Sequence, residues 1–271
     1  MKYLIACDLD GSLLNKEGHI TEKSKNVLKK LESEGHMIVL ATGRPFSGAY
    51  PKYEFLDLNT PIITDNGGSI EHPKDKTFAK QKTFIPLDMM HEIFKFSKPF
   101  TITSFFSIDD MTYAYQYDPK LEAFFSGINS DKVIEGEHTA FTVEPTGLVY
   151  IIETNAMQTF EHYISETFGH TLSTRCWGND PKTAVYEVYL KHISKASAIK
   201  YLLEYYNMPH HAWIAFGDGV NDIEMIGQAH HGVAMKNAVD EVKKVADAVT
   251  EYDHDDDGLA NYLIQFFNLS I

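Results

Sequence analysis

Short apolar runs that each empty into a polar turn, recurring at both ends of the chain, most restrict how it can fold. Residues 3–7 form the first, running into acidic residues and Gly11; residues 37–41 form the next and give way to Thr42-Gly43-Arg44-Pro45. Residues 61–64 lead into Asp65-Asn66-Gly67-Gly68, a strong turn signal, and residues 212–216 end in Gly217-Asp218. Continuous apolar runs of this length suit strands buried on both faces. Helical patterns lie between them. Thr21 is placed to cap a helix whose Val27, Leu28 and Leu31 share one face and which Gly35 stops. Ser194 is placed to cap another reaching about residue 207, with helices also expected over 221–227, 239–246 and 259–267 and a short strand over 232–234. The alternation predicts an α/β fold: a parallel sheet with helices on both faces, whose ligands bind beyond the carboxyl ends of the strands.

The middle of the chain departs from this rhythm. Residues 101–108 and 111–117, rich in Tyr, Phe, Ile and Thr around Asp109-Asp110, predict a hairpin. Residues 148–154 predict a strand and 156–168 a helix. An inserted α+β domain over 84–183 is therefore expected between core segments 1–83 and 184–271.

Lys and Arg total 24 against 38 Asp and Glu, a net charge of −14, which argues against a nucleic-acid binder. A phosphate-handling site in such a chain must gather local positive charge from a metal, a lysine or backbone N–H groups. Cys7 and Cys176 match no CxxC pattern and read as reduced thiols. The run 3–7 is too short for a signal peptide, and no stretch reaches the length of a membrane span. The expectation is a cytoplasmic protein with no membrane partner, a monomer or small homo-oligomer.

Four short segments carry residue types that phosphoryl transfer needs. In Asp8-Leu9-Asp10-Gly11-Ser12, one carboxylate can attack phosphorus and the other can protonate the leaving oxygen and then deprotonate water. Gly11 permits the close turn that lets backbone N–H groups approach an anion. Thr42-Gly43-Arg44 offers a hydroxyl and N–H donors at a strand end. Lys195 sits near a helix start, an unfavourable place for a cation, which hints at a task such as neutralising a transferring phosphoryl group. In Gly217-Asp218-Gly219-Val220-Asn221-Asp222, Asp218 is a hard oxygen ligand suited to Mg2+ and Asn221 an amide donor. Each fragment alone has an ordinary reading as a turn or a surface charge; the combination does not.

With these motifs the chain resembles the haloacid dehalogenase-like superfamily, specifically the Cof-type (IIB) sugar phosphatases. The resemblance runs to Ala234-Met235-Lys236-Asn237-Ala238, Glu241-Val242-Lys243 and Asp257-Gly258-Leu259-Ala260. It implies a Rossmann-like doubly wound core with an inserted cap, and a Mg2+-dependent phosphatase acting on a small phosphorylated metabolite, such as a sugar phosphate, through an aspartyl-phosphate. By that resemblance Asp8 is nucleophile and metal ligand, Asp10 is acid/base and ligates through its main-chain carbonyl, and Asp218 completes the protein ligands. Thr42, Gly43, Lys195, Asn221 and the backbone N–H of Leu9 hold phosphate, while Asp222 orients a metal water or Lys195. Arg44 and Asn66 match positions near the site. Ala196 stands where the family usually has Gly, which implies tighter packing at the start of that helix.

In the expected cap, Arg175, Trp177 and Asn179 form a polar-aromatic cluster that could touch a leaving group. Other signals read as ordinary. The stretch 253–258 begins like an EF-hand, but its twelfth position is Ile264, so it reads as a solvated acidic loop. The pairs His210-His211 and His230-His231 lack metal spacing, and the alternating Tyr113, Tyr115 and Tyr117 read as a strand face. Among rivals, a signalling receiver lacks a large inserted domain and an Asp-x-Asp pair. A sugar-phosphate mutase would return phosphate to its substrate, and a non-catalytic binder of phosphorylated ligands would have little use for Asp10.

Overall fold

Leu4, Ile5, Ala6 and Cys7 are all fully buried, and such a segment requires strand neighbours on both edges and packing on both faces. The computed structural model, which describes residues 1–109, 111–118 and 130–270, supplies both. In chain order, β1 (Leu4–Cys7) is followed by α1 (Glu22–Ser33), β2 (Met37–Leu40), α2 (Phe46–Phe55), β3 (Ile62–Thr64), β4 (Ser69–Glu71) and β5 (Gln81–Lys82). Next come α3 (Leu87–Ser97), β6 (Thr101–Ile108), β7 (Met111–Tyr115), β8 (Val133–Glu135), β9 (Gly147–Glu153), α4 (Met157–Phe168), β10 (Leu172–Asn179) and β11 (Thr183–Leu190). The chain closes with α5 (Lys195–Tyr205), β12 (Trp213–Gly217), α6 (Ile223–Gln228), β13 (His231–Ala234), α7 (Asp240–Val245), β14 (Ala248–Val249) and α8 (Gly258–Phe267). Among the described residues no helix is long and apolar enough to cross a membrane.

Two compact units result. The first holds Met1–Gly43, Ala49–Gln81 and Ser194–Ile271, and its parallel sheet has the order β14-β13-β12-β1-β2. Helices α1 and α8 pack together, while α5, α6 and α7 form a second group. Thr21 caps α1 by accepting from Ser24 N at 3.0 Å, and its buried Val27, Leu28 and Leu31 form the expected face. β3 meets β2's end only through a single parallel bridge, Ala41 to Ile63, and instead pairs antiparallel with β4. The reason is local: Asp65 and Asn66 adopt left-handed φ of 51° and 53°, and Gly67 follows at 101°, reversing the chain within one turn.

The second unit, Arg44–Gly48 with Lys82–Ile193, has a six-stranded sheet ordered β10-β11-β9-β6-β7-β8. The hairpin expected around 109–110 appears as antiparallel β6 and β7, with Ile108 facing Met111; Asp110 lies outside the described residues. The sequence boundary at residue 183 needs correction. Thr183–Leu190 pairs with both β10 and β9, so the middle sheet runs on past it. What read as a boundary is a tight turn, in which Asp180 Oδ1 accepts from Lys182 N at 2.6 Å and Thr183 N at 2.8 Å.

One face of this sheet packs under α3 and α4 through Met90, Phe94, Phe160, Tyr150, Tyr186 and Val188. His138 is buried among them, stacked on Phe94 at 4.9 Å with Nε2 3.1 Å from Ser104 Oγ. Burial lowers its imidazole from 6.5 to about 4, against a hydrogen bond to the Ser104 carbonyl that raises it, so the folded unit holds it neutral. Between those values the unfolded chain binds the extra proton, and stability therefore falls as pH drops through that window. The gap corresponds to about 3 kcal/mol. His138→Leu is expected to remove most of this acid lability. An unchanged slope of melting temperature with pH between 6.5 and about 4 would assign the lability to other groups.

Candidate active site

β1 and β12 are parallel neighbours, and the chain continues from them in opposite directions across the sheet, to β2 and to β13. Such a divergence opens a crevice at the carboxyl ends. Cys7 lies opposite Phe216, and Asp8 N donates to Phe216 O at 3.1 Å, so Asp8 and Asp218 leave the sheet side by side. The loop after β1 then turns sharply, with Leu13 N donating to Asp8 O at 3.2 Å and Leu14 N to Leu9 O at 2.9 Å. Gly11 is required there. Its φ is +75°, and a Cβ would fall 2.2 Å from Asp218 Oδ2.

Lys195 comes from the first turn of α5, which Ser194 and Ser197 cap reciprocally. Its side chain has no exposure, and Nζ lies 2.6 Å from Asp8 Oδ1 and 2.7 Å from Asp222 Oδ1. The buried cation explains a lysine placed against the helix dipole: two carboxylates hold it there. The other oxygen of Asp222 accepts from Asp218 N at 3.0 Å and Gly219 N at 3.1 Å. Ser12 Oγ donates to Asp218 Oδ1 at 3.2 Å.

The electrostatics follow from counting charge. Oxygens of Asp8, Asp218 and Asp222 lie within 4.8 Å of one another. Three carboxylates against one ammonium leave a formal surplus of two negative charges. Burial pulls the Lys195 ammonium down, but Asp222 and Asp8 outweigh it and hold it above its ordinary value, so it is charged. Burial, opposed by Lys195 and reinforced by Asp222 and Asp218, pushes Asp8 well above the usual carboxylate range. Burial and then Asp222 push Asp218 up to about 6. A hard divalent cation fits this donor set: it takes oxygen ligands, and its charge equals the surplus. Asp222, with both oxygens already accepting hydrogen bonds, is placed to orient Lys195 and the 218–219 backbone.

Beside this cluster a second group forms. Thr42 is buried, its N donates to Ile63 O at 3.0 Å, and its O accepts from Asn66 N at 3.0 Å. Asn221 Nδ2 donates to Asn66 Oδ1 at 2.9 Å. Gly43 and the Asp10 side chain are exposed, and Leu9 is buried. Ala196 is buried. Arg44, Arg175, Trp177 and Asn179 belong to the second unit. There Arg44 Nη1 donates to Gly48 O at 3.4 Å, and Arg175 pairs with Glu187 at 2.9 Å while lying over the Tyr189 ring at 4.6 Å. Trp177 is 42% exposed, and Asn179 is exposed as well.

The sequence reading passed over Ser12 and Asn237, whose Nδ2 donates to Gly11 O at 2.8 Å. The acidic loop expected over 253–258 has Asp255 and Asp256 exposed, and it also ties down the β1 loop and α1. Lys16 binds Asp255 at 2.8 Å, His254 Nδ1 bonds Leu14 O at 2.7 Å, and Asp257 accepts from Thr21 and Ser24. No local pattern in the sequence announces partners more than 200 residues away.

The chain is similar to known proteins over nearly all of its length. A family model described as haloacid dehalogenase-like hydrolase matches residues 5–263. The chain is 30% identical over 270 residues to the 5-amino-6-(5-phospho-D-ribitylamino)uracil phosphatase YitU of Bacillus subtilis, covering 98% of each. It is 26% identical over 282 residues to phosphatase YwpJ of the same organism, covering 96% of this chain and 98% of that one. A crystal structure of a haloacid dehalogenase-like hydrolase from Bacteroides thetaiotaomicron superposes with a TM-score of 0.81 at 26% identity, covering 98% of this chain and 100% of that one.

Proposed function

The chain belongs to the haloacid dehalogenase-like hydrolase family, and from that premise we propose that it is a Mg2+-dependent phosphatase of small phosphorylated metabolites, working through a phosphorylated Asp8. The observation that carries this reading is the buried Lys195 bridging Asp8 and Asp222 beside Asp218, at the carboxyl ends of adjacent strands. Asp8, Asp218 and the main-chain carbonyl of Asp10 would hold Mg2+, which when bound offsets charge on the transferring phosphoryl group.

With Oδ1 held by Lys195, the other oxygen of Asp8 is assigned the attack. The Asp8 oxygen–phosphorus bond forms as the bond to the leaving oxygen breaks, and Asp10 gives that oxygen its proton. Water then attacks phosphorus, its proton passes to Asp10, and the bond to Asp8 breaks. Lys195, Thr42, Asn221 and the N–H groups of Leu9 and Gly43 would hold the phosphoryl oxygens. Residues 82–193 would serve as the cap, with Arg44, Arg175, Trp177 and Asn179 as contacts to the rest of the substrate. Two matched relatives are named for a ribityl phosphate, so sugar and sugar-alcohol phosphates head the substrate panel.

The test is inorganic phosphate release from such a panel with Mg2+ and with EDTA. Release that needs Mg2+ supports the reading; none from any compound would shift it to a mutase or a binding protein. Metal affinity carries a further expectation. Asp218, raised to about 6, must lose its proton to ligate. Below that pH the apparent affinity for Mg2+ is expected to fall by about tenfold per pH unit. Without metal, the folded state binds the extra proton between 3.8 and about 6, so metal-free stability falls as pH rises through that window. The rise in melting temperature on adding Mg2+ should therefore grow from about pH 5 to about pH 8. A rise independent of pH would remove Asp218 from the ligand set.

A further inference from the structure

Resting on the phosphatase reading, we infer that Asn66 is a positioning residue and that the turn Asp65–Gly67 is the joint aligning three separate phosphate-holding segments. The resemblance places Asn66 near the site, as a candidate substrate contact, and several of its neighbours are other parts of that site. Asn66 is buried at 7% exposure, and its backbone N donates to Thr42 O at 3.0 Å. A Cβ on Gly43 would fall 3.0 Å from Asn66 Oδ1, so the side chain lies directly against that glycine. Toward β12, Asn66 Oδ1 accepts from Asn221 Nδ2 at 2.9 Å. Toward α5, a Cβ on Gly67 would fall 2.3 Å from Ser194 O and 3.2 Å from Lys195 N.

One turn thus touches the strand-end loop carrying Thr42 and Gly43, the loop carrying Asn221 and the helix start carrying Lys195. The left-handed φ of Asp65 and Asn66 is a disfavoured conformation for non-glycine residues. It is what lets a three-residue reversal present the Asn66 side chain and the Gly67 backbone to these neighbours together. An amide nitrogen has two N–H groups in one plane. Donating one to Asn66 fixes the Asn221 amide plane and so aims the other. The Asn66 side chain therefore acts on phosphate through Asn221, while its backbone, which glycine keeps, seats Thr42-Gly43 through the bond to Thr42 O.

A double-mutant cycle tests this by calorimetry of inorganic phosphate binding in the presence of Mg2+, using wild type, Asn66→Gly, Asn221→Ala and the pair. Glycine keeps the left-handed backbone and removes only the side chain. Asn66→Gly is expected to weaken phosphate binding by about tenfold, and the pair to bind no more weakly than Asn221→Ala alone. Additive losses would mean that Asn66 meets phosphate independently and would overturn the inference. So would a lower melting temperature with phosphate affinity unchanged. If Asn66→Gly fails to fold, Asn66→Ser, too short to reach Asn221, takes its place with the same expectations. Phosphate release by wild type reports on the phosphatase reading separately. Wild type that binds phosphate without turning over substrate ends that reading, and the cycle still decides the role of Asn66. Wild type that binds no phosphate ends both.

Discussion

Asp8→Asn is expected to abolish Mg2+-dependent phosphate release, by about 10⁴-fold or more, while leaving the protein folded and at least as stable without metal. Asn has nearly the shape of Asp, but its amide oxygen is a poor nucleophile at phosphorus. The stability side follows from charge. The cluster of Asp8, Asp218 and Asp222 around Lys195 has a formal surplus of two negative charges, and this substitution removes one ionisable carboxylate from it. Lys195 keeps its 2.7 Å contact to Asp222, so no cation is stranded. Melting temperature without metal should hold or rise, and the increment from Mg2+ should shrink. Residual release above about one part in a hundred would mean that water attacks phosphorus directly and Asp8 only binds metal.

Lys195→Met is expected to damage both stability and catalysis. The ammonium is wholly buried, and its loss leaves Asp8 and Asp222 facing each other without a counter-charge. Breaking a buried ion pair from one side costs about 3–5 kcal/mol, or roughly 6–20 °C in melting temperature. Turnover should fall by about 10³-fold through loss of charge stabilisation at phosphorus. Mg2+ should restore part of the stability, because it brings positive charge to the same carboxylates, and little of the activity. A drop below about 2 °C would show that the two carboxylates relax into water or share a proton, and that the lysine is not what holds them.

These two residues also mark what a sequence of this kind makes legible. Asp8, Asp218 and Asp222 could be named because chemistry-bearing residues at the ends of buried strands stand out against apolar runs, and Lys195 because it sits where a helix disfavours a cation. Their mutual contacts could not be named, since Lys195 is 187 residues from Asp8. Ser12 was passed over because a hydroxyl after glycine reads as part of the turn, and only the packing of Gly11 against Asp218 gives it a partner. The parallel core was legible through β1, β2 and β12, whose runs are apolar throughout. β10 and β11 were not, because polar residues such as Ser173, Arg175 and Glu187 break their pattern and Pro181 sits in the turn between them. α2 contains Gly48 and Pro51, so its composition points away from a helix that tertiary packing nevertheless forms.

The order of strands in the parallel sheet has a consequence for how the chain is made. β1 lies between β2 and β12, and a ribosome delivers the first two long before the third. Until Trp213–Gly217 emerges, the edge of β1 that will receive it stands open, a template for unwanted pairing. The six-stranded sheet, by contrast, has all its strands between residues 101 and 190 and can close while the parallel one waits. A nascent chain halted before residue 213 carries Asp8 and Lys195 yet has neither Asp218 nor Asp222 beside them. The chemistry therefore arrives late in synthesis, when the end of the chain docks against its beginning.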